Sequence, residues 1–217
     1  MVDLLFSFWT VDFGFKGAPF AFSWPSNGNL QSYASDLEDA LWSVKHLEGV
    51  LRELNAKHPK RRVHIIAHSM GSQVLLRAMR LLSYDRQKDG RPLFETVILC
   101  APDFDSELFA QQIAAEVRGL SNQWVVYASN NDFALSASEQ LNSAARLGKP
   151  TTYAEGYQII DASKLEVTPW SVPETHSYYA TKKKVLEDMI GAIKGLLPAS
   201  RGLKEKQTQA GMVWILE

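Results

Sequence analysis

"RVHIIAHSMGSQVLLRAM", Arg62 to Met79, decides the architecture because the spacing of its apolar residues changes part-way along. Val63 to Ala67 is a short apolar run suited to a buried strand. Ala67-His68-Ser69-Met70-Gly71 is a tight turn, and a helix is expected from Met70 to Leu82. A strand that turns sharply into a helix holds a central serine clear of the surrounding backbone, in a strained conformation, with the helix N-terminus aimed at developing negative charge. Such a turn crowds the positions two before and two after the serine, and here they are Ala67 and Gly71. Serine is also a good helix N-cap, so the motif gains its meaning from standing between strand and helix.

The rest of the chain repeats the alternation of strand and helix, which makes the expected fold α/β: one domain over residues 1–217, its mostly parallel sheet flanked by helices. Strands are expected at Ala18–Trp24, Thr96–Pro102, Gln123–Ser129 and Tyr157–Ser163. Helices are expected at Leu30–Asn55, Ser106–Arg118, Ala134–Arg146 and Tyr178–Leu197. The long first helix carries Tyr33, Leu37, Leu41, Val44, Leu47, Leu51 and Leu54 at three-to-four spacing, and so presents one apolar face. The tail 198–217 is polar and then apolar, which suits either an extra strand or a loose end.

Composition narrows the function. Basic and acidic residues number 23 and 24, leaving no broad electrostatic case for nucleic acid. No apolar run reaches the roughly 20 residues of a membrane span. The apolar N-terminus has an acid at Asp3 and no basic leader, so the expected location is cytoplasmic. The single cysteine, Cys100, lies in the apolar run "TVILCAP" and reads as a buried structural thiol. "KKK" at 182–184 reads as a solvated face. The scattered histidines form no metal motif, and no glycine loop is built for phosphate, so no cofactor is expected.

A serine needs a base to take its proton. His46 lies on the long helix, His58 in "KHPKRR" and His64 within the serine strand, where none reaches the strand ends. His68 adjoins Ser69, but its side chain should leave the turn in another direction and pack or bond locally. His176 follows the last of these strands, in a loop on the same sheet edge as the serine turn, and is the expected base. Two loops compete to supply the acid that orients it: Asp132 in "ASNNDFAL" is preferred, and Asp103 in "CAPDFD" also fits the order serine, acid, histidine. The backbone N–H of Met70 is the expected oxyanion donor. Trp24, Phe104, Phe133 and Tyr178, with Trp170, stand on strand-end loops and are candidates either for an acyl pocket or for plain core.

"FSWPSNG", "HIIAHSMGSQVLLRAM", "VILCAPDFD" with "YASNNDFAL", and "THSYY" together resemble the α/β-hydrolases, and within them a bacterial group of unknown function, DUF900. The resemblance spans about Ala18 to Leu197. It implies Ser69 as nucleophile, Asp132 as acid and His176 as base, and hydrolysis of an ester or related acyl bond. It also implies an additional N-terminal strand beside the serine strand, ending in a His-Gly loop that supplies a second oxyanion N–H. Residues 1–17 contain no His-Gly pair and are atypical in this respect. The expectation is therefore an N-terminally shortened hydrolase fold without a large lid, whose sheet closes without that strand, is covered by a second copy in a homodimer, or belongs to a longer form. The expected substrate is a small-molecule ester with a short acyl group. The competing expectation is a catalytically silent fold used for binding or assembly.

Overall fold

The computed structural model describes residues 17–84, 90–165, 171–209 and 211–217. The N-terminal segment up to residue 16 and Trp170 lie outside the described residues. Within them, one sheet has the order β1-β2-β3-β4-β6-β5. Its strands are β1 (His64–His68), β2 (Phe94–Cys100), β3 (Ser121–Ala128), β4 (Tyr157–Asp161), β5 (Lys204–Gln207) and β6 (Met212–Ile215). β1 to β4 and β6 run parallel, and β5 closes the C-terminal end as an antiparallel hairpin with β6. The tail thus adds two strands.

Alternation along β2 and β3 sends successive side chains to opposite faces. Val97, Leu99, Trp124 and Val126 pack with Leu75, Leu76, Met79 and Phe109 on one face. Ile98, Cys100, Val125 and Tyr127 pack with Val185, Met189, Tyr178 and Tyr179 on the other. Burial raises the pKa of the Cys100 thiol far above its ordinary value, so it stays a neutral core group. The first face is covered by α1 (Tyr33–Trp42), α2 (Val44–Lys57) and α3 (Gly71–Tyr84), and the second by a terminal helix, Lys183–Ile193.

The expected Leu30–Asn55 helix is divided at Ser43, whose hydroxyl bonds back to the Asp39 carbonyl at 2.8 Å. Such back-bonding competes with the helical ladder and bends helices. Leu41, expected on the apolar face, is exposed, and Ala40 takes the buried position. The expected Tyr178–Leu197 helix is likewise broken, because Lys182 adopts an extended conformation between Tyr178–Thr181 and Lys183–Ile193.

Ala18–Trp24 is not a strand. It is irregular and largely exposed, with Phe22 and Trp24 half-buried against the first core face. A strand needs a paired neighbour, and among the described residues this segment has none. The loop after it is held instead by Asp36, whose carboxylate accepts from Asn27 N–H at 2.9 Å, Asn27 Nδ2 at 2.8 Å, Gly28 N–H at 2.9 Å and Ser26 Oγ at 3.0 Å. These donors, the Asn27 N–H foremost, pull its pKa down to about 2.

The two ends of the sheet differ. β5 presents Lys204, Glu205 and Lys206, all exposed, and such charges discourage edge-to-edge pairing. β1 pairs with β2 on one side only among the described residues, and its Ile66 is 38% exposed.

Candidate active site

Ser69 follows β1 directly and has a φ of 51°, a left-handed conformation that a serine adopts only at a cost of about 1–3 kcal/mol. Surrounding bonds impose it. Ser69 N–H donates to the Cys100 carbonyl at 3.0 Å, and the Ser69 carbonyl accepts from Ser72 N–H at 3.0 Å and Asp103 N–H at 3.1 Å. At Gly71, the small position expected two residues after the serine, a Cβ would only come into ordinary van der Waals contact with the Trp24 ring, at 3.4 Å. Among the described residues, neither the Ser69 hydroxyl nor the Met70 N–H has a hydrogen-bond partner. One prediction tests the strain. Ser69→Gly should stabilise the fold by about 1 kcal/mol, a rise in Tm of roughly 2–4 °C by calorimetry, since glycine adopts φ > 0 freely.

The expected acid and base come together. His176 Nδ1 lies 2.8 Å from Asp132 Oδ2, and because a carboxylate only accepts, Nδ1 carries the proton. That leaves Nε2 as the basic nitrogen. Asp132 is fully buried and caps the helix Phe133–Asn142, its Oδ1 accepting from Leu135 N–H at 3.0 Å. The helix N-terminus and the imidazole N–H together satisfy its charge.

Asp103 serves elsewhere. Its carboxylate accepts from Tyr33 at 2.9 Å and Ser138 at 2.6 Å, and stands 3.5 Å from Nε of the equally buried Arg146. It anchors α1 and the loop after Asn142 to the sheet edge.

The candidate pocket residues divide. Trp24 lies against Gly71, its indole N–H buried without a partner among the described residues. Phe104 and Tyr178 are buried in opposite core faces, the plain-core alternative for each. Phe133 begins the helix that Asp132 caps and is half-buried.

Two neighbours of the acid lie in the polar loop "RLGKP", where sequence reading gave them no role. The Lys149 ammonium donates to the carbonyls of Asn130 and Asp132, each at 3.1 Å, and to Ser136 Oγ at 2.9 Å, clamping the acid's turn. Burial lowers its pKa. At Gly148 a Cβ would stand 2.3 Å from Leu135 Cδ1 and 2.8 Å from the Ala101 carbonyl carbon, so only glycine lets this loop approach. Lys149→Met should lower stability by about 1–2 kcal/mol, read as a shift in denaturant midpoint, because the turn loses its charge-assisted bonds while the Asp132 carbonyl keeps those from Ser136.

The family described as "Alpha/beta hydrolase of unknown function (DUF900)" matches residues 4–192. The chain belongs to that family. It is also similar to the uncharacterized protein alr1448 of Nostoc sp. (strain PCC 7120 / SAG 25.82 / UTEX 2576), with 36% identity over 61 residues. That match covers 28% of this chain and 16% of the relative. No solved structure matches significantly. Among the described residues no helix is long and apolar enough to cross a membrane, and no three His, Cys, Asp or Glu side chains gather as a metal site.

Proposed function

We propose that this α/β hydrolase is a serine esterase that cleaves small, short-acyl carboxylic esters through an acyl-enzyme. His176 Nε2 takes the Ser69 proton as Oγ attacks the acyl carbon, and Asp132 holds the imidazole and offsets the charge it acquires. The tetrahedral oxyanion is met by the Met70 N–H, and the helix N-terminus behind it favours negative charge. Collapse of the intermediate breaks the bond to the alcohol, which leaves with the proton from His176. Water then attacks the acyl-enzyme by the same path and frees the acid.

The observation that carries the reading is the 2.8 Å bond between His176 Nδ1 and the buried Asp132, made beside a serine held at positive φ. A panel of p-nitrophenyl esters of increasing acyl length tests it: turnover should be highest for the shortest chains, and a fluorophosphonate should label Ser69. One observation favours the second reading, a silent fold used for binding: Ser69 Oγ makes no hydrogen bond to His176 among the described residues. Hydrogen bonds of this type often tighten only around substrate. A folded protein that hydrolyses none of the esters and takes no fluorophosphonate would favour binding over catalysis.

A further inference from the structure

We propose that His68 is a positioning residue that fastens the segment carrying the base to the nucleophile turn. The inference rests on Ser69 and His176 acting as nucleophile and base. Asp132 fixes the orientation of the His176 ring, but it caps the helix that follows β3, whereas Ser69 stands at the end of β1. The acid alone therefore does not set how far His176 lies from the serine. His68 is the last residue of β1 and the one before Ser69. Its Nε2 lies 3.2 Å from the backbone carbonyl of His176. His176 ends a short helix, Val172–His176, rather than lying in the expected loop, and among the described residues this is the hydrogen bond that joins the segment 171–177 to the serine strand and turn.

The bond assigns the tautomer of His68. A carbonyl only accepts, so Nε2 bears the hydrogen. The ring is gripped on two sides, stacked on Tyr179 at 4.3 Å between centroids and tilted against the His176 ring at 4.6 Å. His68 thus meets the base at both its backbone and its imidazole. Burial first, and the neighbouring His176 second, hold His68 down to about 3, so it stays neutral when His176 takes the serine proton. A second positive charge at that distance would oppose the imidazolium that catalysis needs.

The test uses the full chain with three variants. His68→Gln keeps an N–H at a similar reach, His68→Leu removes it, and His68→Phe keeps the ring on Tyr179 but has no donor. With p-nitrophenyl acetate, kcat for the leucine and phenylalanine variants should fall about 10- to 100-fold, the scale of a small misplacement of reacting groups. KM should stay within about twofold, and glutamine should recover most of the loss. Unchanged kcat in a folded leucine or phenylalanine variant overturns the proposal, as does glutamine falling as far as leucine or a loss confined to KM.

Imidazole ¹⁵N spectra of the unmutated protein provide a readout free of activity. His68 should remain an Nε2–H neutral ring from about pH 8 to pH 5. An Nδ1–H tautomer, or a His68 that titrates in that range, overturns the assignment. If wild-type turnover survives Ser69→Ala, the esterase reading fails instead, and these spectra still judge the contact.

Discussion

On the proposed esterase mechanism, Ser69→Ala should eliminate ester turnover, lowering kcat by about 10⁴-fold or more, and abolish fluorophosphonate labelling while the fold persists. Removing the proposed nucleophile would leave only what binding and the oxyanion donor supply. The structural cost is small, because the hydroxyl has no hydrogen-bond partner among the described residues. Alanine also keeps the Cβ that makes the left-handed conformation unfavourable, so the strain at Ser69 is retained rather than relieved. Alanine and glycine at this position should thus be equally inactive and differ in melting temperature. Turnover by the alanine variant within about tenfold of wild type would dispose of Ser69 as the nucleophile.

The sequence made the serine turn legible because several local signals agree there: an apolar strand, small residues two places either side of Ser69, and a following helix. The strand-helix alternation and the buried role of Cys100 were legible for the same reason, since period and burial coincide. Ala18–Trp24 misled because alternating aromatics report which side chains are buried, and say nothing of whether a backbone partner exists. Phe22 and Trp24 reach the core from an irregular segment. The breaks at Ser43 and Lys182 were hidden because each rests on one backbone or side-chain choice within an otherwise helical pattern. Lys149 was hidden for another reason: its three acceptors are carbonyls and a hydroxyl gathered by tertiary folding, and a lone lysine in a polar loop carries no trace of them. The choice between Asp103 and Asp132 stayed open because both follow strands of the same edge. Only the path of the segment carrying His176, a short helix in the fold, separates them.

That separation gives the second large effect. Asp132→Asn should lower kcat by about 10⁴-fold with little loss of stability. An asparagine keeps the Oδ1 that caps the helix at Leu135, but its amide would donate toward His176 Nδ1. The imidazole then carries its hydrogen on Nε2, the nitrogen that must accept the serine proton, and base catalysis fails. Asp103→Asn reverses the pattern. It leaves Arg146 charged, buried and unpaired, which costs about 3 kcal/mol or a fall in Tm of roughly 6–12 °C, while turnover at a temperature where the variant is folded drops far less. Measuring both quantities for both variants separates an acid that orients the base from one that holds the framework. The opposite outcome, a dead but stable Asp103 variant beside an active Asp132 variant, would move the acid to the β2 loop. It would also require His176 to leave the buried carboxylate it bonds at 2.8 Å and travel to another strand end.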